Sequence, residues 1–455
     1  MPIDFKLTDF CYPVSILKLR NFLEKSQWFS LQELEAYQFK KLKIMLNHVY
    51  ENVPYYQKLF AAGGITPKDI TSLGDLKKIP VLDKNIFNVS RDLFFAKNAG
   101  KFKPIGYNTT GTSSAPVMFY RDRFARTLEI AYYLRHWSWG GYKIGSPIGE
   151  ISCWFFLKKK KNTNKPFYYD PVVRRLIING NLLSEQNLDL IINEIKKRRI
   201  VFFRGPATAI YAFSLLLRNK PHHSISLKAV FPVGEMLLDY QRKLIEKSFS
   251  CQVFDSYGNM EGTGAISQCE KGGYHINSDY GIIEIKDLRL PGLGPCSSGY
   301  TGLAIGTNLY NFAMPLLRYS HDDIISASPN AGTCPCKRGL PLIKSVQGRL
   351  SDVIVTPDGR YISSLSEVFN FVNGITLGQI IQEEASRLVV KISKSADFGQ
   401  DNEKKLLEMI SNIVGRSVNV RVEYIPFAEL TTYPRSKFRP VISYVKKEYG
   451  MSIKD

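Results

Sequence analysis

Hydroxyl side chains are concentrated in one short stretch, Asn108 to Pro116, which contains five of them together with Gly111. A glycine lets the backbone turn its N–H groups toward a bound anion, and hydroxyl groups add rotatable hydrogen-bond donors. The stretch lacks the Gly-Lys-Ser/Thr ending of a P-loop NTPase. We interpret it as a phosphate-binding loop, with an ordinary polar turn as the alternative. The candidate phosphate ligands are Thr109, Thr110, Gly111, Thr112 and Ser113.

Residues of the types that bind zinc occur at two separate places in the chain. Cys269 and His275 are separated by five residues that include Gly272 and Gly273, and a Cys-x-Cys pair follows far downstream. Thiolate sulfur and imidazole nitrogen are the ligands that tetrahedral zinc prefers, and four protein ligands would make the site structural. We therefore predict a zinc site, with buried free thiols as the alternative. The candidate ligands are Cys269, His275, Cys334 and Cys336.

The composition limits the cellular setting and the partners. The 455 residues include seven cysteines and carry a formal net charge of +20. The odd, uneven cysteine set argues against a disulfide framework, so we interpret Cys11, Cys153, Cys251 and Cys296 as core or incidental residues. The basic excess favours anionic partners: nucleotide phosphates, nucleic acid or an anionic membrane surface. No run of about 18 apolar residues occurs, and Met1 to Asp9 lacks a signal-peptide pattern, so we expect a soluble cytoplasmic protein.

Alternating helical and apolar segments between residues 170 and 260 predict how candidate residues are positioned. Helices at Leu188 to Arg198 and near Ala207 to Leu217 alternate with apolar strands, which is typical of α/β units with a largely parallel sheet. Ligands bind such sheets where the strands end. The residues that follow the strands are Gly205, Pro206, Gly234, Glu235 and Asp255 to Gly258.

The remaining segments have different patterns. Residues 15–62 have apolar positions at helical spacing, and Arg123 to Trp139 predicts an aromatic helix that packs in the core. The Gly-rich turns of residues 280–327 indicate an antiparallel sheet or barrel. After Gly348, strand, turn and helix patterns over about 105 residues predict a small domain. We interpret Lys158 to Lys165 as a surface turn, with contact to an anionic surface as the alternative.

Four motifs in order resemble those of the adenylate-forming ligases. Thr109 to Pro116 is similar to their phosphate-binding motif, and Ser256 to Glu261 to their Tyr-Gly-x-Thr-Glu motif. Pro315 to Asp323 resembles Pro-x-x-Arg-Tyr-x-x-Gly-Asp, and Gly348 to Asp352 resembles Gly-Arg-x-Asp-Asp. Each motif is weak by itself, but the four in family order span nearly the whole chain.

Other segments point to one branch of that family. Asn52 to Tyr56 and Ile79 to Lys84 resemble the phenylacetate–CoA ligase branch. The helical leader and Gln268 to Glu270 are most like the members associated with capsular polysaccharide biosynthesis. Cysteines similar to the candidate zinc ligands occur in this branch.

The resemblance implies a site that joins a carboxylate to the α-phosphate of ATP. Glu261 is expected to act in catalysis by holding Mg²⁺, and Tyr257 to stack on adenine. Asp323 is expected to accept hydrogen bonds from the ribose hydroxyls, with Arg349 beside it. The implied nucleotide-binding residues outside the hydroxyl loop are Gly234, Glu235, Ser256, Tyr257, Gly258, Asp323 and Arg349.

The segment Gly234-Glu235 resembles the one that lies beside the adenine and acyl pockets in the family. The alternative for Glu235 is a carboxylate that only stabilises a helix dipole. We expect the acyl pocket to be formed from Trp137, Phe203, Pro206 and Gly234, with core packing as the alternative for such residues.

The C-terminal segment Tyr433 to Arg439 resembles the family's lysine motif, in which a mobile domain brings an ammonium to the reacting phosphate. Lys437 is the catalytic candidate, although Ser436 replaces the usual glycine. Arg435 or Arg439 is an alternative for the role, and a plain basic tail is another.

The chain also departs from the motifs at four other positions. The hydroxyl loop has lost its second glycine and its basic residue, which removes a cation near the pyrophosphate. An aspartate precedes Asp323, where the motif has glycine, and a serine occupies the place of an acidic hinge residue. The departing residues are Ser114, Ala115, Asp322 and Ser351.

The resemblance implies an α/β fold in two domains. A large adenylation domain is expected at residues 1–348, with a helical leader over about 1–100 and a small β-rich subdomain. A hinge at residues 349–352 is expected to lead to a small mobile α+β lid domain at residues 353–455.

The implied activity is ATP-dependent formation of an acyl-adenylate from a carboxylic acid, followed by acyl transfer to CoA. Transfer to an amine is the first alternative, and a non-catalytic scaffold at a membrane-associated synthesis complex is the second. We expect no nucleic-acid partner, because no recognised nucleic-acid module is present.

Overall fold

A computed structural model describes residues 13–108, 118–152, 165–218, 225–287, 301–328, 334–349, 352–362, 365–431 and 438–445. The Ser30 hydroxyl accepts a hydrogen bond from Glu33 N at 3.2 Å and the Glu33 carboxylate accepts from Ser30 N at 2.7 Å, which caps the second helix. Pro54 is the first residue of the third helix, a position whose N–H has no acceptor within the helix, so the N–H that proline lacks is not needed there. The first helices are α1 (Pro13–Ser26), α2 (Leu31–Asn52), α3 (Pro54–Gly63) and α4 (Lys84–Ser90), with 3₁₀ turns at Pro67–Asp69, Leu73–Lys78, Arg91–Phe94 and Ala99–Phe102.

The middle of the chain forms an α/β layer. Its elements are β1 (Ile105–Asn108), β2 (Met118–Arg121), α5 (Arg123–Trp139), β3 (Ile148–Ser152), β4 (Phe167–Asp170), β5 (Arg175–Asn179), a 3₁₀ turn at Gly180–Leu182, α6 (Glu185–Lys197), β6 (Phe202–Gly205), α7 (Ala207–Arg218), β7 (Ala229–Pro232), α8 (Asp239–Phe249) and β8 (Gln252–Val253). The strand order is β4-β5-β3-β6-β7-β8, and every pair except β4–β5 is parallel. Helices α6, α7 and α8 cover one face of this sheet and α5 packs against the other.

The next part of the chain is an antiparallel sheet, as predicted. Its strands are β9 (Ser256–Gly258), β10 (Ala265–Gln268), β11 (Tyr274–Ile276), β12 (Gly281–Asp287), β13 (Thr301–Asn308), β14 (Tyr319–Ala327) and β15 (Leu342–Arg349). They are ordered β12-β13-β14-β15-β11-β10-β9. Gly281 and Gly302 lie where strands approach closely, because a Cβ at either position would come within 2.3 Å of a backbone oxygen.

The C-terminal part has its own four-stranded sheet, of order β20-β19-β18-β21, and its own apolar core. Its elements are β16 (Ile354–Val355), β17 (Tyr361–Ile362), a 3₁₀ turn at Leu365–Asn370, β18 (Ile375–Glu384), β19 (Arg387–Lys394), α9 (Gln400–Val414), β20 (Asn419–Tyr424), α10 (Phe427–Thr431) and β21 (Val441–Ser443). It contacts the α/β layer where Tyr211 Oη donates to Thr376 O at 2.6 Å. The predicted α/β class is confirmed. No helix in the described ranges is long and apolar enough to cross a membrane.

Helix α5 lies between the two large sheets, and its charged side chains are buried with it. Arg135 pairs with Asp279, and neither side chain is exposed to solvent. Arg135 Nη1 also donates to Leu23 O at 2.9 Å, and Ser26 Oγ donates to Asp279 Oδ2 at 2.5 Å. The ion pair therefore joins α1, α5 and the residues that lead into β12.

Replacing Asp279 with alanine should destabilise the protein by about 3–5 kcal/mol, because Arg135 would keep its charge in the interior without a carboxylate. The exposed Arg387–Glu383 pair supplies the control, since Glu383→Ala should cost less than about 1 kcal/mol. Denaturant unfolding of both variants measures the difference. Equal costs would contradict a structural role for the buried pair.

Candidate functional site

One corner of the site is formed by side chains from three strands of the antiparallel sheet: Tyr257 on β9, Asp323 on β14 and Arg349 on β15. Strands β9 and β14 do not pair with each other. Tyr257 Oη donates to Asp323 Oδ2 at 2.6 Å, and Arg349 Nε lies 3.7 Å from Asp323 Oδ1. Burial, followed by the nearby Asp323 carboxylate, raises the pKa of Tyr257 well above its usual value, so the phenol stays a donor. The Asp323 side chain is 15% exposed and offers acceptor oxygens to a ligand. An aromatic ring beside such a carboxylate fits a nucleoside, so we call Tyr257, Asp323 and Arg349 the nucleoside corner.

Glu261 lies in a turn whose backbone is fixed from two sides. Asn308 Nδ2 donates to Glu261 O at 3.1 Å and to Gly262 O at 2.8 Å, and Asn259 Oδ1 accepts from Thr263 N at 3.1 Å. Gly262 has φ +65°, and a Cβ there would come within 3.2 Å of Arg121 Nε. The turn therefore requires glycine and holds the half-buried Glu261 beside the nucleoside corner.

His321 on β14 also contacts this turn. Its Nε2 lies 2.6 Å from Thr263 Oγ1 and 3.4 Å from Asn259 Nδ2, which is an amide donor, so we assign Nε2 as the acceptor. A Cβ at Gly306 would come within 2.5 Å of this nitrogen. Burial lowers the pKa of His321 to about 4, which keeps the ring neutral. Asp322, at the glycine position of the motif, has φ +59°, a region that Asp tolerates.

Glu235 follows β7 and accepts hydrogen bonds from two other parts of the chain. Its Oε2 accepts from Thr208 N at 3.0 Å and from the Thr208 hydroxyl, in the first turn of α7. Its Oε1 accepts from Phe438 N at 3.4 Å. Glu235 thus contacts the first turn of a helix and also the residue next to Lys437, and its role in nucleotide binding stays a prediction. Gly234 has φ +81°, which explains the glycine before it.

Two predicted parts of the site lie outside the described residues. These are the hydroxyl loop, with Thr109, Thr110, Gly111, Thr112 and Ser113, and the catalytic candidate Lys437. The described residues next to the hydroxyl loop and next to Lys437 lie close to the site. Asn108 pairs with Met118 across β1 and β2, and β2 carries Arg121 to the Glu261 turn. Ser256 Oγ donates to Pro232 O at 3.2 Å, which joins β9 to the end of β7.

The four candidate zinc ligands come together where β10 ends, β11 begins and the chain leads into β15. Their ligand atoms all lie within 4.8 Å of one another. Cys269 Sγ is 3.6 Å from Cys334 Sγ, and Cys336 Sγ is 3.3 Å from His275 Nε2. A tetrahedral ion with Zn–S of about 2.3 Å and Zn–N of about 2.0 Å separates such atoms by roughly 3.5–3.8 Å.

The residues around this cluster orient its side chains. His275 Nδ1 lies 2.9 Å from Leu340 O and can donate to it, which leaves Nε2 toward the sulfurs. Gly272 N donates to Cys269 O at 2.9 Å in a turn where Gly272 has φ +83°. A Cβ at Gly273 would come within 2.8 Å of Cys334 Sγ, so the turn requires glycine there too.

Comparisons with known proteins agree with these features. The family model described as the CapK C-terminal domain matches residues 354–443. Protein CapK of Staphylococcus aureus is 25% identical over 426 residues, covering 91% of this chain and 90% of that protein. The phenylacetate–coenzyme A ligase of Escherichia coli (strain K12) is 44% identical over 366 residues, covering 73% of this chain and 75% of that protein. The chain belongs to the phenylacetate–CoA ligase family.

The phenylacetate–CoA ligase family belongs to the adenylate-forming, AMP-forming ligases, as the motifs indicated. A crystal structure of 2-hydroxyisobutyryl-CoA ligase in the postadenylation state, in complex with 2-HIB-AMP, has a TM-score of 0.69 to this chain. It is 17% identical and covers 92% of this chain and 91% of that one. This likeness confirms the fold.

Phe203, which we predicted to line the acyl pocket of this ligase, lies on the face of the parallel sheet opposite to α5. Phe203 is fully buried in the core between the parallel sheet and α6 to α8, where it also fills the space beside Gly149. Trp137 lies on the other face, toward the site, with Phe231. Consecutive residues of a strand point to opposite faces of the sheet, so Arg204, and not Phe203, lies on the same face as Trp137. No local sequence pattern predicted the contact of His321 with Thr263 or the burial of Arg204.

His321 should make the stability of this ligase depend on pH. Its folded pKa of about 4 lies below the unfolded value of about 6.5, so its neutral form stabilises the fold above pH 6.5. That contribution is lost as the pH falls toward 4, by about 2 kcal/mol between pH 7 and 5. Unfolding midpoints of the wild type and of His321→Gln over this range provide the measurement. Parallel curves for the two proteins would show that His321 contributes nothing.

Proposed function

We propose that this chain activates a carboxylic acid with ATP to form an acyl-adenylate and then transfers the acyl group to CoA. The observation that carries the proposal is the nucleoside corner, in which Tyr257 donates to Asp323 beside Arg349. The Glu261 turn lies next to it, and the strands that flank the hydroxyl loop reach the same place. The named relatives that are CoA ligases support the choice of acceptor.

In the first step, a carboxylate oxygen attacks the α-phosphorus of ATP and the bond to the bridging oxygen breaks, so pyrophosphate leaves. We propose that Thr109 to Ser113 hold the phosphates and that Asp323 binds the ribose hydroxyls. Glu261 would hold Mg²⁺, which supplies positive charge to the phosphate oxygens when bound. Lys437 would stabilise the charge that develops between the carboxylate and the α-phosphate.

The contact between Glu235 and Phe438 supports the role of Lys437. Phe438 N donates to Glu235 Oε1 at 3.4 Å, so the residue directly after the lysine contacts the end of β7. Gly234 and Glu235 follow that strand, where ligands of parallel sheets bind. A weak contact of this length can break, which suits a segment that must leave after adenylation.

In the second step, the CoA thiolate attacks the acyl carbonyl and AMP leaves. We propose that residues 353–455 form a lid that rotates about residues 349–352 relative to residues 1–348. Asp352 pairs with Arg439, with Nε 3.0 Å from Oδ1, so the hinge and the end of the lid would move together. A place in capsular polysaccharide biosynthesis remains part of this proposal, supported by the resemblance at Gln268 to Glu270.

Purified protein with ATP and Mg²⁺ should release pyrophosphate only when a suitable carboxylic acid is added. Lys437→Ala and Glu261→Gln should each lower the rate by about 100-fold or more, because each removes a charge at the reacting phosphate. The matched controls are Lys404→Ala and Glu408→Gln on the exposed face of α9, which should leave the rate unchanged. A panel of aryl, alkyl and amino acids, with pyrophosphate and AMP measured, tests the proposal. ADP as the nucleotide product would contradict it.

We also propose that Cys269, His275, Cys334 and Cys336 bind one structural zinc ion. Two of the separations, 3.6 Å between Cys269 Sγ and Cys334 Sγ and 3.3 Å between Cys336 Sγ and His275 Nε2, are near those of tetrahedral zinc, and all four ligand atoms lie within 4.8 Å of one another. The His275 ring is oriented through its other nitrogen. With four protein ligands no position remains for substrate, so the ion would stabilise the ends of β10, β11 and β15 rather than take part in catalysis.

The purified protein should contain about one zinc ion per chain. Cys269→Ser and Cys334→Ser should lose the metal and unfold at lower temperature, because the ligands lie on separate strands and loops that the ion joins. Cys251→Ser is the control, since Cys251 packs at the edge of the α6–α8 core. Elemental analysis by mass spectrometry and thermal melts provide the measurements. A metal-free protein whose stability is insensitive to both serine changes would contradict the zinc proposal.

A further inference from the structure

The amino ends of the parallel strands form a flat row on the side of the sheet away from the candidate site. Arg175, Ile148, Phe202 and Ala229 pair in register across β5, β3, β6 and β7. Neighbouring strands lie about 4.8 Å apart, so the row is roughly 15 Å wide. Glu235, by contrast, follows the carboxyl end of β7. A partner that contacts the amino ends therefore leaves the candidate site open.

Each of these four strands is preceded by an exposed basic residue. Arg174 and Lys228 come directly before β5 and β7. Arg199 comes three residues before β6, and Lys143 comes five residues before β3. The last turn of α6 adds two more exposed bases. We call these six residues the basic face: Lys143, Arg174, Lys196, Lys197, Arg199 and Lys228.

Hydrogen bonds join the turns that carry these residues into one surface. Arg174 Nη1 donates to Gly145 O at 3.3 Å, which joins the turn before β5 to the turn before β3. Lys228 N donates to Val201 O at 2.7 Å, which places Lys228 beside the chain that leads from α6 into β6. Because β3 and β6 are neighbours in the sheet, the basic face is continuous across the row.

The acidic groups in the turns and helix ends around the basic face already have partners. Asp170 accepts hydrogen bonds from Val172 N and Val173 N in the turn before β5. Glu194 pairs with Arg198 at 2.6 Å. Within the part of the chain that the structure describes, no side chain of the basic face has a carboxylate at ion-pair distance. The six bases therefore repel one another, and an anionic partner would relieve that repulsion.

Arg199 occupies a backbone position that favours glycine. Its N–H donates to Lys196 O at 3.0 Å, and Ile200 N donates to Ile195 O at 3.0 Å, which is the Schellman pattern that ends α6. Arg199 has φ +52°, a left-handed conformation that costs free energy for most residues with a Cβ. Arg174 has φ +50°. An arginine at such a position does not stabilise the turn, so its charge needs another explanation.

Two aliphatic side chains are exposed in the turns among these bases. Ile144 is 50% exposed and Val172 is 74% exposed. Ile144 lies in the turn in which Ser146 N donates to Lys143 O at 2.8 Å, and Val172 lies in the turn that Asp170 stabilises. Bases around exposed aliphatic groups are typical of surfaces that enter the headgroup region of a membrane. Surfaces that bind single-stranded nucleic acid combine their bases with aromatic rings instead.

The basic face fits an anionic lipid surface better than it fits a purely structural role. Basic residues in the last turn of a helix stabilise the helix dipole, but this accounts only for Lys196 and Lys197. We propose that the basic face binds the surface of an anionic phospholipid bilayer. The bases contact the lipid phosphates, and Ile144 and Val172 enter the boundary between headgroups and acyl chains. This inference does not depend on the proposed ligase activity.

Cosedimentation of the full chain with phospholipid vesicles tests the inference. At about 0.1 M salt, the wild type should bind phosphatidylcholine vesicles with about 30% phosphatidylglycerol at least about 30-fold more tightly than pure phosphatidylcholine vesicles. At about 1 M salt, where the Debye length is about 3 Å, most of this preference should be lost.

A variant without four of the bases tests whether the basic face is the part of the chain that binds. It carries Lys196→Gln, Lys197→Gln, Arg199→Gln and Lys228→Gln. It should bind the anionic vesicles about 100-fold or more weakly, because each base near such a surface contributes about fivefold. The matched control has the same net charge and should bind within about 3-fold of the wild type. It removes four exposed lysines elsewhere, through Lys40→Gln, Lys58→Gln, Lys404→Gln and Lys405→Gln.

Smaller changes separate a docking role from a structural one. Arg199→Asn removes the charge but fits the left-handed backbone, so vesicle binding should fall about fivefold while the melting temperature stays the same or rises. Ile144→Ser together with Val172→Ser should weaken binding by about 10-fold and leave its salt dependence unchanged.

Several outcomes would overturn the inference. Equal binding to neutral and anionic vesicles, or binding to neither, would do so. A control variant that loses as much binding as the basic-face variant would show that net charge alone is responsible. Binding to duplex DNA or to RNA in place of vesicles would assign the basic face to nucleic acid. A marked fall in the melting temperature of Arg199→Asn would show that Arg199 stabilises the end of α6 and has a structural role.

Discussion

The buried pair of Arg135 and Asp279 is the interaction on which the rest of this structure depends. Helix α1, helix α5 and the chain before β12 all contribute hydrogen bonds to it. Because an unpartnered charge in the interior costs several kcal/mol, α5 can lie only where these partners meet. That position places the helix between the two large sheets, with Tyr133 and Trp137 behind the ends of the parallel strands.

The candidate site forms where three separately built parts of the chain meet. Ser256 joins β9 to the end of β7, and Tyr257 spans to Asp323 on a strand with which β9 does not pair. The C-terminal sheet reaches the same place through Phe438. Two of these contacts lie within the large N-terminal part and are partly buried, whereas the third, to Phe438, is the longest at 3.4 Å. This difference suits the proposed reaction in two steps, in which the nucleoside corner would persist while the Lys437 segment leaves.

The sequence predicted the elements and the positions of strand ends better than the contacts between side chains. Glu235 and Tyr257 could be placed near the carboxyl ends of the parallel strands, because these ends lie side by side in such a sheet. The face occupied by Phe203 could not be predicted, because the run around it is apolar throughout and lacks the alternation that fixes a strand's register. The contact of His321 with Thr263 and the position of Arg204 beside Glu150 depend on the pairing of strands distant in sequence, which no local pattern records.

The most direct test of the central claim uses an acid substrate whose carboxylate carries ¹⁸O. If the acid attacks the α-phosphorus, one labelled oxygen remains in the acyl–phosphate bridge and leaves with AMP when the acyl group is transferred. The account predicts that mass spectrometry will find one ¹⁸O in each AMP molecule. Label in inorganic phosphate, with ADP as the product, would show activation through an acyl phosphate and would contradict the account.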